Sequence, residues 1–222
     1  MSATLEMNGD VAIVTMDDGK ANAINPTMLD ALEAAFDEAE SKAGAIVMAG
    51  KPGLFSAGFD LKLMAGATPE EVTALVMRGG AFAMRIYGGP LPVVAACTGH
   101  AIAMGAFYLL SCDTRVGSKG EFALGANETV NGMTLPIFGI ELPKARLNPQ
   151  HLTKAIIQAH MYDPAGAVEA GYLDQVVEAD KVVAAAGEIA GQLAALPRQA
   201  YAANKKLLRA DTIRIINESL KG

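Results

Sequence analysis

An α/β core followed by a mostly helical C-terminal stretch is the architecture the sequence predicts, and two observations carry it. Residues 45–49 and 92–97 are short, continuously apolar runs, the pattern of strands covered on both faces. Helical periodicity alternates with such strands as far as Gly132, and beyond it the pattern is mostly helical.

Residues 5–7 and 11–16 flank Asn8-Gly-Asp10, a turn sequence, and predict an opening β-hairpin. Asn25-Pro26 supplies an N-cap and a first-turn proline for a helix ending near Ser41, with Met28, Leu29, Leu32 and Phe36 at helical spacing. The strand at 45–49 and the loop Gly50-Lys-Pro-Gly53 follow. Thr68-Pro-Glu-Glu71 is a capping signature for a helix to about Tyr87, whose apolar set is Val72, Leu75, Val76, Phe82 and Ile86; Gly88-Gly-Pro90 breaks it. After the strand at 92–97, a helix runs through about Leu110. Strands are expected at 113–116 and 121–124, and helices at 135–146, 149–159, 164–170, 181–196 and 197–210. The last segment, residues 213–220, is apolar enough to need a neighbour in this subunit or another.

A chain of 222 residues that is 51% hydrophobic fits one domain, or a domain with a small appendage. Its net charge of −6 argues against nucleic acid or an anionic membrane surface as the main partner. No apolar run approaches the roughly 18 residues of a membrane helix. Met1-Ser-Ala-Thr lacks a signal-peptide pattern, so a cytoplasmic protein is expected. Cys97 and Cys112 lie in apolar contexts and read as buried free thiols; Cys97 with His100 lacks the orienting acid of a nucleophile pair. His100, His151 and His160 have no metal-ligand spacing, so no metal is expected. Asp60 and Asp113 read as structural carboxylates, a helix cap or a partner of nearby Arg115.

Phe55-Ser-Ala-Gly-Phe-Asp-Leu61 and Gly99-His-Ala-Ile-Ala-Met-Gly105 each look like a strand ending in a small-residue turn that runs into a helix. Two backbone N–H groups at such turns can aim at one carbonyl oxygen, and the second helix adds the positive end of its dipole. That pairing suits enolate chemistry on an activated carbonyl.

Four strings fall in the order and spacing of one family: Lys20-Ala-Asn-Ala-Ile-Asn25, Phe55 through Leu61, Gly99 through Arg115, and Ala170-Gly-Tyr-Leu-Asp-Gln-Val-Val177. Over nearly its whole length the chain resembles the crotonase, or enoyl-CoA hydratase/isomerase, superfamily. The resemblance implies a spiral of ββα units over residues 1–147 and a C-terminal helical region over 148–222, packed on the core or on a neighbouring subunit. Assembly as a homotrimer or dimer of trimers is implied too, as is an acyl-CoA substrate with no cofactor beyond the coenzyme A it carries. The oxyanion-hole amides fall at Phe59 and Met104. Three successive glycines are usual at the second site, where this chain has Ala103-Met104-Gly105; an N–H survives the change, and the Met side chain must point away from the thioester.

Hydratases of the family hold a water between two glutamates. Phe107 stands at the first of those positions and Glu128, in Ala126-Asn-Glu128, matches the second. One carboxylate suffices to move a proton between two carbons, so the resemblance implies double-bond isomerisation, with Glu128 carrying a proton from C2 to C4 of a 3-enoyl thioester. Val130, Phe107 and Met133 are expected to raise its proton affinity. The alternatives are a hydratase that recruits another acid, such as Glu141, and a non-catalytic acyl-CoA binder. Further substrate contacts implied are Ala21, Ala23, Ser56, Gly58 and Gly105, with His100 beside the oxyanion turn and Phe107 and Met133 at the acyl pocket. Lys62, or Lys205 and Lys206, are candidates for the CoA phosphates.

Overall fold

A computed structural model describes residues 2–221. The chain opens with the hairpin β1 (Ala3–Asn8) and β2 (Val11–Met16), followed by α1 (Pro26–Lys42), capped by the Asn25 side chain at the Met28 N–H. Three successive rounds then repeat one plan. They are β3 (Ala45–Ala49), β4 (Gly53–Ser56), α2 (Leu61–Ala65) and α3 (Pro69–Gly88); β5 (Val93–Cys97), β6 (Gly99–Ile102) and α4 (Met104–Ser111); and β7 (Thr114–Ser118), β8 (Leu124–Gly125) and α5 (Ile137–Arg146). The C-terminal part holds α6 (Pro164–Ala170), β9 (Gln175–Val177), α7 (Val182–Ala194), α8 (Arg198–Leu208) and α9 (Ala210–Ser219).

The first strand of each round enters a six-stranded sheet of order β1-β2-β3-β5-β7-β9, and the second enters a three-stranded sheet of order β4-β6-β8. Apart from the opening hairpin all pairings are parallel. This is the expected spiral of ββα units. Every residue of β3 and β5 is buried, and alternate residues serve different cores, as strand pleating requires. Ile46, Met48, Val93 and Ala95 pack in the main core with α1, α3 and α4; Val47, Val94 and Ala96 meet Ala186 and Ala190 of α7 on the opposite face.

Residues 148–222 share this core, because β9 pairs with β7 and α7 covers the large sheet. The helix expected over 149–159 is instead a 3-10 turn (Pro149–His151) and a π turn (Thr153–Ile157), ending where Ala159 takes a φ of +50°. The apolar tail finds its neighbour within the chain: α9 packs on α3 and α5, with Ile216 fully buried. Among the described residues, no helix is long and apolar enough to cross a membrane.

Two sequence readings need correcting. Lys205 is buried, and its ammonium donates to Ile86 C=O (3.1 Å), Leu91 C=O (3.0 Å) and Asp113 Oδ2 (2.8 Å), so no phosphate reaches it. Asp113 pairs with Lys205 and Arg209, while Arg115 pairs with Asp174. Lys205 and Arg209 also close a helix end by satisfying carbonyls at the end of α3, and the half-buried Arg146 does the same for those of Cys112 and Asp113 after α4. Helix C-termini leave such carbonyls unpaired and carry negative dipole charge, which adds to the Asp113 carboxylate in holding Lys205 and Arg209.

Candidate active site

The small sheet explains why distant turns meet. Strands β4, β6 and β8 lie side by side and parallel, so the residues after their C-terminal ends emerge together: Ala57 to Asp60, Ala103 to Met104, and Ala126 to Glu128. In α/β folds the crevice beyond such strand ends is where ligands bind.

The first turn is pinned on both sides of Phe59. Ala57 N–H donates to Ala21 C=O (3.1 Å), Ile24 N–H donates to Gly58 C=O (2.8 Å), and Asp60 N–H donates to Ile24 C=O (3.1 Å). At the second, Ala103 N–H donates to Gly125 C=O (2.9 Å), and Ala103 C=O accepts from Phe107 N–H (3.1 Å). Among the described residues neither the Phe59 nor the Met104 N–H has a protein acceptor. Met104 is the first residue of α4, so its N–H is one of the unpaired donors at a helix start. The turns nearly touch: Gly58 has a φ of +87°, and a Cβ there would stand 2.8 Å from Ala103 Cβ and 3.2 Å from Met104 N. Met104 itself is fully buried, its methyl group directed toward Gly79 of α3 and away from the turn.

Ala103 pays for this arrangement with φ 52° and ψ −120°, a region that glycine adopts freely and alanine only under strain. Ala103→Gly is therefore expected to raise stability by about 1 kcal/mol in urea unfolding, the relief of strain less the extra freedom of glycine in the unfolded chain. A lower midpoint would show that the turn is unstrained.

A cavity of about 380 Å³ opens beside these turns. Phe59, Ala103 and Glu128 form one wall. Phe107 and Phe138, rings 5.9 Å apart and edge to face, are its buried members. Leu61 and Met64 of α2, Val72 and Val76 of α3, and Met133, Asn127, Asn131 and Thr134 of the loop after β8 complete the lining. Glu128 follows β8 in a tight turn, its carbonyl accepting from Asn131 N–H (3.0 Å) and Met133 N–H (2.9 Å). Its Oε2 is buried without a partner, and burial pushes the carboxyl above the ordinary glutamate range against the opposing pull of backbone N–H groups at 128 and 127. Val130 takes no part in that shift, being 75% exposed; the apolar surroundings come from Phe107, Met133 and residues of 135–138.

Other expected contacts lie elsewhere. Ser56 is fully buried, donating to Asn22 C=O (2.8 Å) and accepting from Gly58 N–H (3.2 Å), so it holds the first turn and is closed to ligand. Gly105 is buried against Ser56, where a Cβ would stand 2.6 Å from its carbonyl oxygen. The His100 Nδ1 accepts from Ala123 N–H (3.0 Å), and its ring stacks edge-on against Phe122, away from the cavity. Lys62 is exposed on α2, outside the cavity wall, and Lys206 is exposed on α8. Ala21 is exposed and Ala23 half-buried, on the loop whose carbonyls brace the first turn. Asp60 caps α2 at the Leu63 N–H (3.1 Å). Glu141 pairs with Lys144 (2.7 Å), outside the cavity. Cys97 is buried with its thiol pushed up to about 12, which rules it out as a nucleophile at neutral pH. No group of three or more His, Cys, Asp or Glu capable of holding a metal occurs among the described residues.

The α2–α3 wall escaped the sequence reading, which gave Val72 and Val76 only as members of the apolar set of their helix. A signal was present in Leu61 and Met64, apolar residues of a short helix directly after the first turn.

The chain matches the family model for enoyl-CoA hydratase/isomerase over residues 6–221. It is 27% identical over 206 residues to human mitochondrial enoyl-CoA delta isomerase 1, covering 91% of this chain and 68% of that protein. It is 31% identical over 227 residues to carnitinyl-CoA dehydratase of Salmonella heidelberg strain SL476, covering 99% and 85%. The apo structure of the Mycobacterium tuberculosis enoyl-CoA isomerase is similar to it with a TM-score of 0.95 at 37% identity, over 100% of this chain and 96% of that one. With a family model spanning residues 6–221 and a solved relative of the same fold covering the whole chain, the chain belongs to the enoyl-CoA hydratase/isomerase family of the crotonase superfamily of enzymes.

Proposed function

We propose that this enzyme is an enoyl-CoA isomerase that moves the double bond of a 3-enoyl-CoA into conjugation with the thioester, with Glu128 as its only acid–base group. One observation carries the reading: no Asp, Glu, His, Lys or Arg other than Glu128 lines the cavity among the described residues. Adding water across a double bond calls for activation of the water and a proton for the carbanion, a division of labour suited to two acids. A 1,3-proton shift needs one group that takes a proton from C2 and returns it to C4. The free Phe59 and Met104 N–H groups would receive the negative charge that develops on the thioester oxygen, and the start of α4 adds its dipole. Coenzyme A belongs to the substrate, and no further cofactor is required. Assembly as a homotrimer or dimer of trimers is part of the same proposal, for which Leu207 and Leu208, 75% and 87% exposed, supply apolar surface.

Incubation with a 3-enoyl-CoA deuterated at C2 tests the reaction. Isomerisation should yield the conjugated thioester, with part of the label moved to C4 because the base is sheltered from solvent. Accumulation of 3-hydroxyacyl-CoA at a comparable rate, from this substrate or from crotonyl-CoA, would make the enzyme a hydratase, and binding without turnover would make it an acyl-CoA-binding relative.

A further inference from the structure

We propose that the site prefers medium-chain acyl groups, gripping about ten carbons along the wall built by α2 and α3 before the apolar surface runs out. This length preference rests on the acyl-CoA chemistry proposed above and adds a substrate class to it. The cavity measures about 380 Å³. A packed methylene takes nearly the share of liquid volume that a water does, roughly 30 Å³, so about a dozen heavy atoms fill the space. The thioester end claims two or three of these, which leaves most of the cavity empty around a four-carbon acyl group.

The chemistry of the wall agrees with its size. The residues that α2 and α3 give to the lining are all apolar, Leu61, Met64, Val72 and Val76, the last two one turn apart on α3, whereas the polar members Asn127, Asn131 and Thr134 come from the loop around Glu128. The α3 part of that wall is also fixed in place. In the middle of α3 lies Gly79-Gly80, a pair that weakens a helix. A Cβ on Gly79 would stand 2.7 Å from Phe59 Cζ, and one on Gly80 would stand 2.6 Å from Phe138 Cδ1. Both rings line the cavity, so the helix backbone itself is pressed against the site. Leu220 Cδ2 would lie 3.0 Å from the same Gly80 methyl position, so the residue just after α9 packs against α3 beside the Phe138 ring. A wall held by backbone contact cannot swing aside for longer chains as a mobile side chain would. The capacity is thereby set by the fold.

Each methylene buried contributes up to roughly three- to fourfold in affinity, a gain that stops when the apolar surface is covered. Calorimetric binding of saturated acyl-CoAs from four to sixteen carbons measures this without any reaction. Affinity should rise at least about 10²-fold between the four- and ten-carbon thioesters and then level off. A series flat from four carbons, or one still climbing at sixteen, overturns the proposal. Val76→Phe should bring the plateau forward by about two carbons and Val76→Ala should delay it, the latter serving if the larger side chain impairs folding. An unmoved plateau in both would show that α3 does not set the limit. A parent enzyme with the expected length profile but no isomerisation would sink the reaction assignment and leave the length preference standing.

Discussion

Glu128→Gln lowers kcat for 3-enoyl-CoA isomerisation by about 10³-fold, the usual worth of a positioned general base. The change keeps shape and hydrogen-bonding size while removing basicity, so KM should stay within about threefold of the parent value. A variant retaining more than about a tenth of the parent kcat would remove Glu128 from the proposed role. Crotonyl-CoA hydration, where measurable, should be read in the same variant, since a hydratase with a second acid would lose the two activities unequally.

The same carboxylate ties activity to pH in a direction that can be worked out. Burial raises its proton affinity in the folded protein above that of the unfolded chain. Between the ordinary glutamate value and the raised one the native state binds more protons, so stability falls as pH rises through that window. Catalysis by a base needs the ionised form, so kcat/KM climbs with pH across the raised value. In the proposed role the group would thus be most costly to the fold where it is most active. Glu128→Gln removes the ionisation, and its thermal midpoint at neutral pH should be no lower than the parent's, with no advantage near pH 4. A Gln variant that melts well below the parent at pH 7 would mean that the carboxylate is stabilised by its surroundings, and the buried Oε2 would need another explanation.

How much of this was legible in the sequence depended on the range of the interaction concerned. Asn25-Pro26 and Thr68 with Glu71 announce α1 and α3 because a cap is chemistry between residues three apart, and the structure contains both caps. The runs at 45–49 and 92–97 announce β3 and β5 because a strand buried on both faces has no polar position to spare. The strands of the small sheet are harder: β8 is two residues long and β4 is half-buried at its start, so periodicity has little to work on. Strand β9 has an exposed first residue and gains its place only by pairing with β7 across a distance in sequence. Lys205 reads as a solvated lysine because its partners, Asp113 and the carbonyls of Ile86 and Leu91, lie about a hundred residues away. Val72 and Val76 show the deepest ambiguity, since a helix facing a substrate cavity and one facing a core carry the same apolar stripe. The proposed base, Glu128, came from the resemblance; that no second ionisable group among the described residues lines its cavity required the fold.

Gly58→Ala should cost about 10²- to 10³-fold in kcat/KM, the loss that follows when one oxyanion donor is displaced. Two effects coincide there. The φ of +87° strains any residue with a Cβ, and the new methyl would sit 2.8 Å from Ala103 Cβ and 2.9 Å from Ile102 C=O. Neither neighbour can yield freely, because Ala103 is hydrogen-bonded to both Gly125 and Phe107 and belongs to the strained start of α4. The methyl must therefore spread the two turns, and the Phe59 and Met104 N–H groups move apart with them. Gly9→Ala separates backbone strain from this displacement: Gly9 has a φ of +60°, nothing lies within 4 Å of its Cβ position, and it sits in the opening hairpin away from the cavity. Gly9→Ala should lose about 1 kcal/mol of stability to the left-handed backbone and keep full activity. Folded Gly58→Ala enzyme with kcat/KM within about threefold of the parent would show that the spacing of the two turns does not govern the rate, and an oxyanion hole shared between them would have to be given up.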